Sequence, residues 1–179
     1  LQGNYSALIE TKPPFLYLFF ILILFLAEDN LYLLNVLGSS IVFIGGLIVY
    51  ECCENKNKIL APVIYIFSST YLVSGGIHLT SEHIVVIPIL TSFYLLRDIT
   101  KKNFWKFIII GFLLSLAVMI RQNMAILYIA ITLYLLTSYK KYSISGIIFF
   151  ILGSSITLIL LIIFYIILND YEYFLKTFL

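Results

Sequence analysis

Two polar groups interrupt an otherwise oily chain. Glu10-Thr11-Lys12-Pro13-Pro14 opens one apolar run, and Arg121-Gln122-Asn123 sits in the middle of another. Burying charge in hydrocarbon is costly, so ionisable residues that persist there face a protein interior, a watery cavity or an anionic partner. Arginine offers a planar fork of donors and lysine a point charge, so Lys12 and Arg121 together suit a phosphate held at membrane depth. The carboxylates of Glu10 and Glu82 suit a metal ion or a sugar hydroxyl. His83 and Gln122, their neighbours in sequence, complete the candidate site. A divalent metal ion is a candidate cofactor, with Glu10 or His83 as ligand, although His78 and His83 lack the spacing of a helical zinc pair.

These residues need a scaffold, and composition names its class. A chain that is 62% hydrophobic and 11% charged, with mean hydropathy +1.08, lies far outside the range of soluble domains. It reads as an all-α, polytopic membrane protein. The net charge of +2 is too small for nucleic-acid binding, and there is no glycine-rich loop of the nucleotide-cradling kind. Cys52 and Cys53 are adjacent, a spacing that rarely reaches disulfide geometry, and read as reduced packing residues. No internal repeat divides the chain, so residues 1–179 form one membrane domain. Frequent Ile, Phe, Tyr, Asn and Lys suggest an AT-rich genome, and a bacterial inner membrane is the expected location.

A spanning helix needs ~20 apolar residues. Residues 31–53, 59–79 and 145–168 qualify directly. The run from 104 to 136 is too long for one crossing and carries Arg121 near its centre, so two short helices, 104–120 and 124–139, are expected to meet there. With 84–98, that makes about six membrane-crossing helices. Basic residues near segment ends favour the cytoplasmic side. Lys56 with Lys58, Arg97 with Lys101, Lys102 and Lys106, and Lys140 with Lys141 fall on one side only if His78, Glu82, His83 and Arg121 lie on the other, non-cytoplasmic side. Trp105, Tyr139 and Tyr142 then mark the inner boundary. Residues 13–27 are short and, by the same parity, form a juxtamembrane helix in the outer leaflet. On this reading residues 1–30 are the end of an external loop plus that helix, 31–168 the helical bundle, and 169–179 an external segment. Glu82 and His83 belong to an outer loop.

Tyr5-Ser-Ala-Leu-Ile-Glu-Thr-Lys-Pro-Pro-Phe-Leu-Tyr17 resembles the segment that closes the first external loop of the GT-C type glycosyltransferases that use polyprenyl-phosphate sugars. That group includes the protein O-mannosyltransferases and the aminoarabinose transferase of lipid A. Gly75-Gly76-Ile77-His78-Leu79-Thr80-Ser81-Glu82 resembles the family's acidic loop. Residues 111–121 resemble its glycine-containing helix that ends in Lys or Arg, and Arg121-Gln122 is similar to the Arg-Gln of the dolichyl-phosphate-glucose glucosyltransferases. The resemblance covers nearly the whole chain but only the N-terminal part of a usual member.

The resemblance implies transfer of a sugar from a polyprenyl-phosphate donor to a lipid, glycan or protein acceptor at the outer or luminal face, with no nucleotide cofactor and no nucleic-acid partner. Lys12 and Arg121 would hold the donor phosphate, with Glu82 close by. The general base in such relatives is an Asp in the first external loop, expected upstream of Leu1 in a chain that reads as N-terminally truncated.

Plainer roles compete with these. Lys12 can snorkel to an interface beside a helix-starting proline, and Glu82 can simply favour a helix N-terminus. Asp29 and Asp170 read as solvent-facing. A transporter or channel fragment with a charged cavity is the alternative function, but it needs polar groups reachable from both sides, and 59–79 and 145–168 are almost wholly apolar on their inner halves. A membrane scaffold is a third.

Overall fold

The computed structural model describes residues 15, 16, 19, 22, 30–53, 57–72, 81–97, 99, 103–137 and 139–167. Glu10, Lys12, Asp29, Lys56, His78, Lys101, Lys102 and Asp170 lie outside them. Among the described residues from 30 onward six α-helices follow one another: α1 (Leu31–Cys52), α2 (Leu60–Phe67), α3 (Ser81–Arg97), α4 (Phe104–Ile120), α5 (Ala125–Thr137) and α6 (Tyr139–Ile167). A π-turn, Ser68–Leu72, continues α2, and a 3₁₀ turn, Gln122–Met124, joins α4 to α5. No strand occurs among the described residues.

α1 and α6 contain apolar windows, Asn35–Cys52 and Ile144–Ile163, long enough to cross a bilayer, while Leu60–Thr70, Phe104–Ile120 and Gln122–Thr137 are shorter apolar helices. Large apolar side chains such as Phe43, Val63, Ile129 and Ile159 point outward and are more than half exposed. That is the arrangement of a bundle whose solvent is lipid. The chain is an integral membrane protein.

Polar chemistry marks the helix ends. Asn30 caps α1 by accepting from the Tyr32 and Leu33 amides at 3.0 and 3.4 Å, which satisfies two donors that a helix start leaves orphaned. At the other end of α1, Arg97 Nη1 donates to the Glu51 carbonyl at 2.7 Å, and Lys58 lies 4.6 Å from the centre of the Tyr50 ring. α3 therefore runs from Glu82 at one end of the bundle to Arg97 at the other, and α4 returns from Lys106 to Arg121. The cations Lys58, Arg97 and Lys106 gather at the end opposite Arg121. Cys52 and Cys53 are free thiols at that same end.

α4 is the central helix, packed on α3 and, most extensively, on α6. Phe107, Ile110, Leu114, Leu135 and Phe150 fill the half of the core nearer the basic end. Leu16, Ile84, Val85, Ala117 and Ile120 fill the half nearer Arg121. Glycine allows the α4–α6 approach: a Cβ on Gly111 would collide with the Phe150 carbonyl oxygen, and one on Gly153 with the Ile108 carbonyl oxygen. Close backbone contact supplies the dispersion that apolar association cannot supply in lipid. Hydroxyls lock the crossing. Ser115 Oγ donates to Thr157 Oγ1 at 2.5 Å, Thr157 Oγ1 to the Phe112 carbonyl at 3.2 Å, and Tyr128 Oη to Ser154 Oγ at 2.8 Å. Gly111→Ala or Gly153→Ala is expected to cost about 1–3 kcal/mol, because overpacking against backbone cannot relax by a rotamer change. Gly146→Ala should cost less, since its Cβ would meet the edge of the Phe107 side chain at 2.8 Å and not a backbone atom. Thermal midpoints in detergent check the order, and equal losses at all three glycines would refute it.

Three boundaries differ from the sequence reading. α3 begins at Ser81, three residues before the apolar run, so Glu82 and His83 lie in its first turn and not in a loop. α6 begins at Tyr139 and has 29 residues, about 43 Å at 1.5 Å per residue. Its first turns, with Lys140 and Lys141, extend a ~30 Å hydrocarbon length beyond what hydropathy detects. The regular part of α2 ends at Phe67, where the helix widens into the π-turn.

Candidate functional site

Arg121 breaks the helix that carries it. Its backbone is extended, with φ −149° and ψ 108°, while its amide still donates to the Ala117 carbonyl at 2.9 Å and its own carbonyl receives the Met124 amide at 3.0 Å. The chain thus leaves α4, turns once through Gln122–Met124 and re-enters a helix. The Arg121 side chain is released from the helical ladder at the end of the bundle.

There it meets Glu82. Arg121 Nη1 lies 2.5 Å from Glu82 Oε1, and Ser81 Oγ donates to Glu82 Oε2 at 3.2 Å. Both charged side chains are about one-third exposed, 34% for Arg121 and 36% for Glu82, so the pair is reachable from solvent. A carboxylate in the first turn of α3 is favoured by the positive end of the helix dipole.

The same end of the bundle is otherwise apolar. A cavity of about 530 Å³ is walled by Phe15, Phe19, Ile44, Ile87, Leu116 and Ile120 among others, with scarcely any polar lining. Ile120 immediately precedes Arg121 in the chain, and Ile84 of the same wall stands two residues after Glu82 on α3. The volume falls within the ~300–1,000 Å³ of small-molecule sites. Phe15, Leu16, Phe19 and Leu22 are helical, and Leu16 is buried against α3 and α4. The segment that follows Lys12-Pro13-Pro14 is thereby anchored at the charged end of the bundle.

Of the sequence-derived site residues, the structure brings Arg121 and Glu82 together. Gln122 and Asn123 are exposed in the 3₁₀ turn. His83 is 4% exposed and turned inward, its Nε2 2.9 Å from the Ser69 carbonyl. Among the described residues no group of three or more His, Cys, Asp or Glu side chains is arranged to hold a metal ion. Glu10 and Lys12 lie outside the described residues. Sequence reasoning missed the apolar cavity and the Ser69 contact. The spacing of Phe15, Phe19 and Leu22, one face of a helix, was the available signal for the cavity wall.

This end of the bundle thus combines a cation paired with a carboxylate and an apolar pocket. No curated relative and no solved structure matches the chain. Its sequence matches the family model for dolichyl-phosphate-mannose-protein mannosyltransferase across residues 11–167, which takes in Lys12, the cavity walls, Glu82 and Arg121. The chain belongs to the dolichyl-phosphate-mannose-protein mannosyltransferase family, a family of membrane glycosyltransferases.

Proposed function

We propose that this protein transfers a sugar from a polyprenyl-phosphate donor to an acceptor at the non-cytoplasmic face of a bacterial inner membrane, with all six helices crossing the bilayer. The observation that carries this reading is the Arg121–Glu82 pair at the end of the bundle where Ile120 and Ile84, their near neighbours in sequence, help to wall an almost wholly apolar cavity. The first isoprene units of the donor occupy the cavity, and the phosphate meets Arg121. Lys12, three residues before Phe15 in the sequence, supplies a second cation. Clustering of Lys58, Arg97 and Lys106 at the opposite end supports the orientation, since basic residues are retained in the cytoplasm.

In the transfer, the acceptor hydroxyl or amine gives its proton to a general base and attacks the anomeric carbon, and the bond from that carbon to the phosphate oxygen breaks. Negative charge grows on the departing lipid phosphate. A cation fixed beside it therefore stabilises the transition state more than the bound donor. The donor reaches the site through the bilayer, and no nucleotide is required.

The test is release of polyprenyl phosphate. The full-length protein in liposomes, supplied with polyprenyl-phosphate mannose or aminoarabinose and a lipid, glycan or peptide acceptor mixture, is expected to consume at least one donor and leave nucleotide sugars untouched. Failure to consume any lipid-linked sugar would overturn the proposal.

A further inference from the structure

His83 is buried in the first turn of α3, next to Glu82, yet points away from the ion pair toward α2. Its partner there lies in the irregular continuation of α2. Across Ser68–Leu72 the helix widens into a π-turn, and such a turn displaces a carbonyl from the regular ladder. The hydroxyls of Ser68 and Thr70 fold back onto carbonyls of the preceding turn, at 2.5 Å to Ile64 and 2.8 Å to Ile66. The Ser69 carbonyl, between them in the same π-turn, lies 2.9 Å from His83 Nε2. A carbonyl oxygen can only accept, so Nε2 carries a proton and donates it.

Three helices are thereby connected through two consecutive residues: α2 to His83 through Ser69, and Glu82 to α4 through Arg121. Among the described residues α2 packs chiefly on α1 and α3 chiefly on α1 and α4, so this bond joins two helices that pack more closely on other neighbours than on each other. It acts on the first turn of α3, the part of a helix most prone to fray.

We propose that His83 is a positioning residue for the donor-phosphate site: by tying α3 to the π-turn it holds the Glu82 carboxylate, and through it the Arg121 guanidinium, in register with the phosphate. This rests on the glycosyl-transfer reading. A π-turn at a substrate site then has a stated use, to present one backbone acceptor to an imidazole.

The test is a double-mutant cycle on turnover by the full-length protein in liposomes. His83→Leu is expected to lower kcat by about tenfold, within the range that ångström-scale misplacement of a catalytic constellation produces. His83→Gln should recover most of it, because the glutamine Nε2 stands the same number of bonds from Cα as the imidazole Nε2, and His83→Asn, one bond shorter, should not. In a Glu82→Gln background, His83→Leu should lower kcat by no more than about twofold further, since the two substitutions disable one device. A merely structural histidine would cost the same factor in both backgrounds, and that result would overturn the proposal, as would a glutamine variant no better than the asparagine one. If His83→Leu does not accumulate in the membrane, the Gln and Asn variants decide alone. A wild-type protein that consumes no lipid-linked sugar overturns the parent reading and this one with it, whereas an active enzyme with an additive cycle overturns only the role of His83.

Discussion

Arg121→Ala is expected to reduce turnover of the lipid-linked donor by about 10²–10³-fold, the loss seen when one fixed donor to a developing oxyanion is removed. The effect should fall mainly on kcat. In the ground state the phosphate already carries charge and can be satisfied by water or by Lys12. As the glycosidic bond breaks, further charge arrives on an oxygen at the edge of an oily cavity where little water is at hand. Arg121→Lys keeps the charge but loses the fork, and should retain activity intermediate between alanine and wild type. Stability offers no rival account of such a loss. The ion pair with Glu82 is one-third exposed, so it contributes about 0–1 kcal/mol to folding. The extended backbone at Arg121 is fixed by main-chain bonds to Ala117 and Met124 that alanine retains. Donor-release kinetics together with a thermal midpoint in detergent would check both halves. An alanine variant with wild-type turnover would mean that the phosphate is held elsewhere.

The break at Arg121 was legible from sequence because hydropathy and charge agreed. A run too long for one crossing with an arginine at its centre has to turn there, and α4 ends at Ile120 as that argument required. The ends of α3 and α6 were not legible, because their polar first turns lie beyond the apolar window that reveals a buried helix. That is why Glu82 and His83 read as loop residues. The Ser115, Ser154, Thr157 and Tyr128 network was hidden for a different reason. Its members are as far as 42 residues apart, and a single serine in an apolar helix can equally well bond its own preceding turn, as Ser92 does to the Pro88 carbonyl at 2.7 Å. The Ser68-Ser69-Thr70 run carries the same ambiguity, and its π-turn is evident only in the folded chain. Glu82 and Arg121 were placed on one face by the parity of basic residues, but that they form an ion pair is a fact of geometry. The convergence of Lys12 with Arg121 falls outside the described residues, although Phe15 and Leu16 bring the chain to the right end of the bundle.

Glu82→Gln gives the second large effect and separates roles that the ion pair alone leaves together. Glutamine preserves the shape and one oxygen acceptor for Arg121 but removes the charge. If Glu82 holds Arg121 in place and moderates its grip on phosphate, the variant should lose about a hundredfold in kcat through a guanidinium displaced by an ångström or so. Its donor KM should fall, because an uncompensated cation binds the lipid phosphate more tightly in both donor and product. The loss in kcat/KM is then smaller than the loss in kcat, the signature of ground-state binding strengthened at the expense of the transition state. A carboxylate that instead took the acceptor's proton would lose kcat and kcat/KM equally, with the donor KM unmoved. One that only favoured the start of α3 would change the thermal midpoint and leave turnover alone, and the helix-dipole contribution of about 0.3–1 kcal/mol sets the size of that shift. Measuring kcat, donor KM and thermal stability of the one variant distinguishes all three, and a raised KM at unchanged kcat would contradict the role assigned to Glu82.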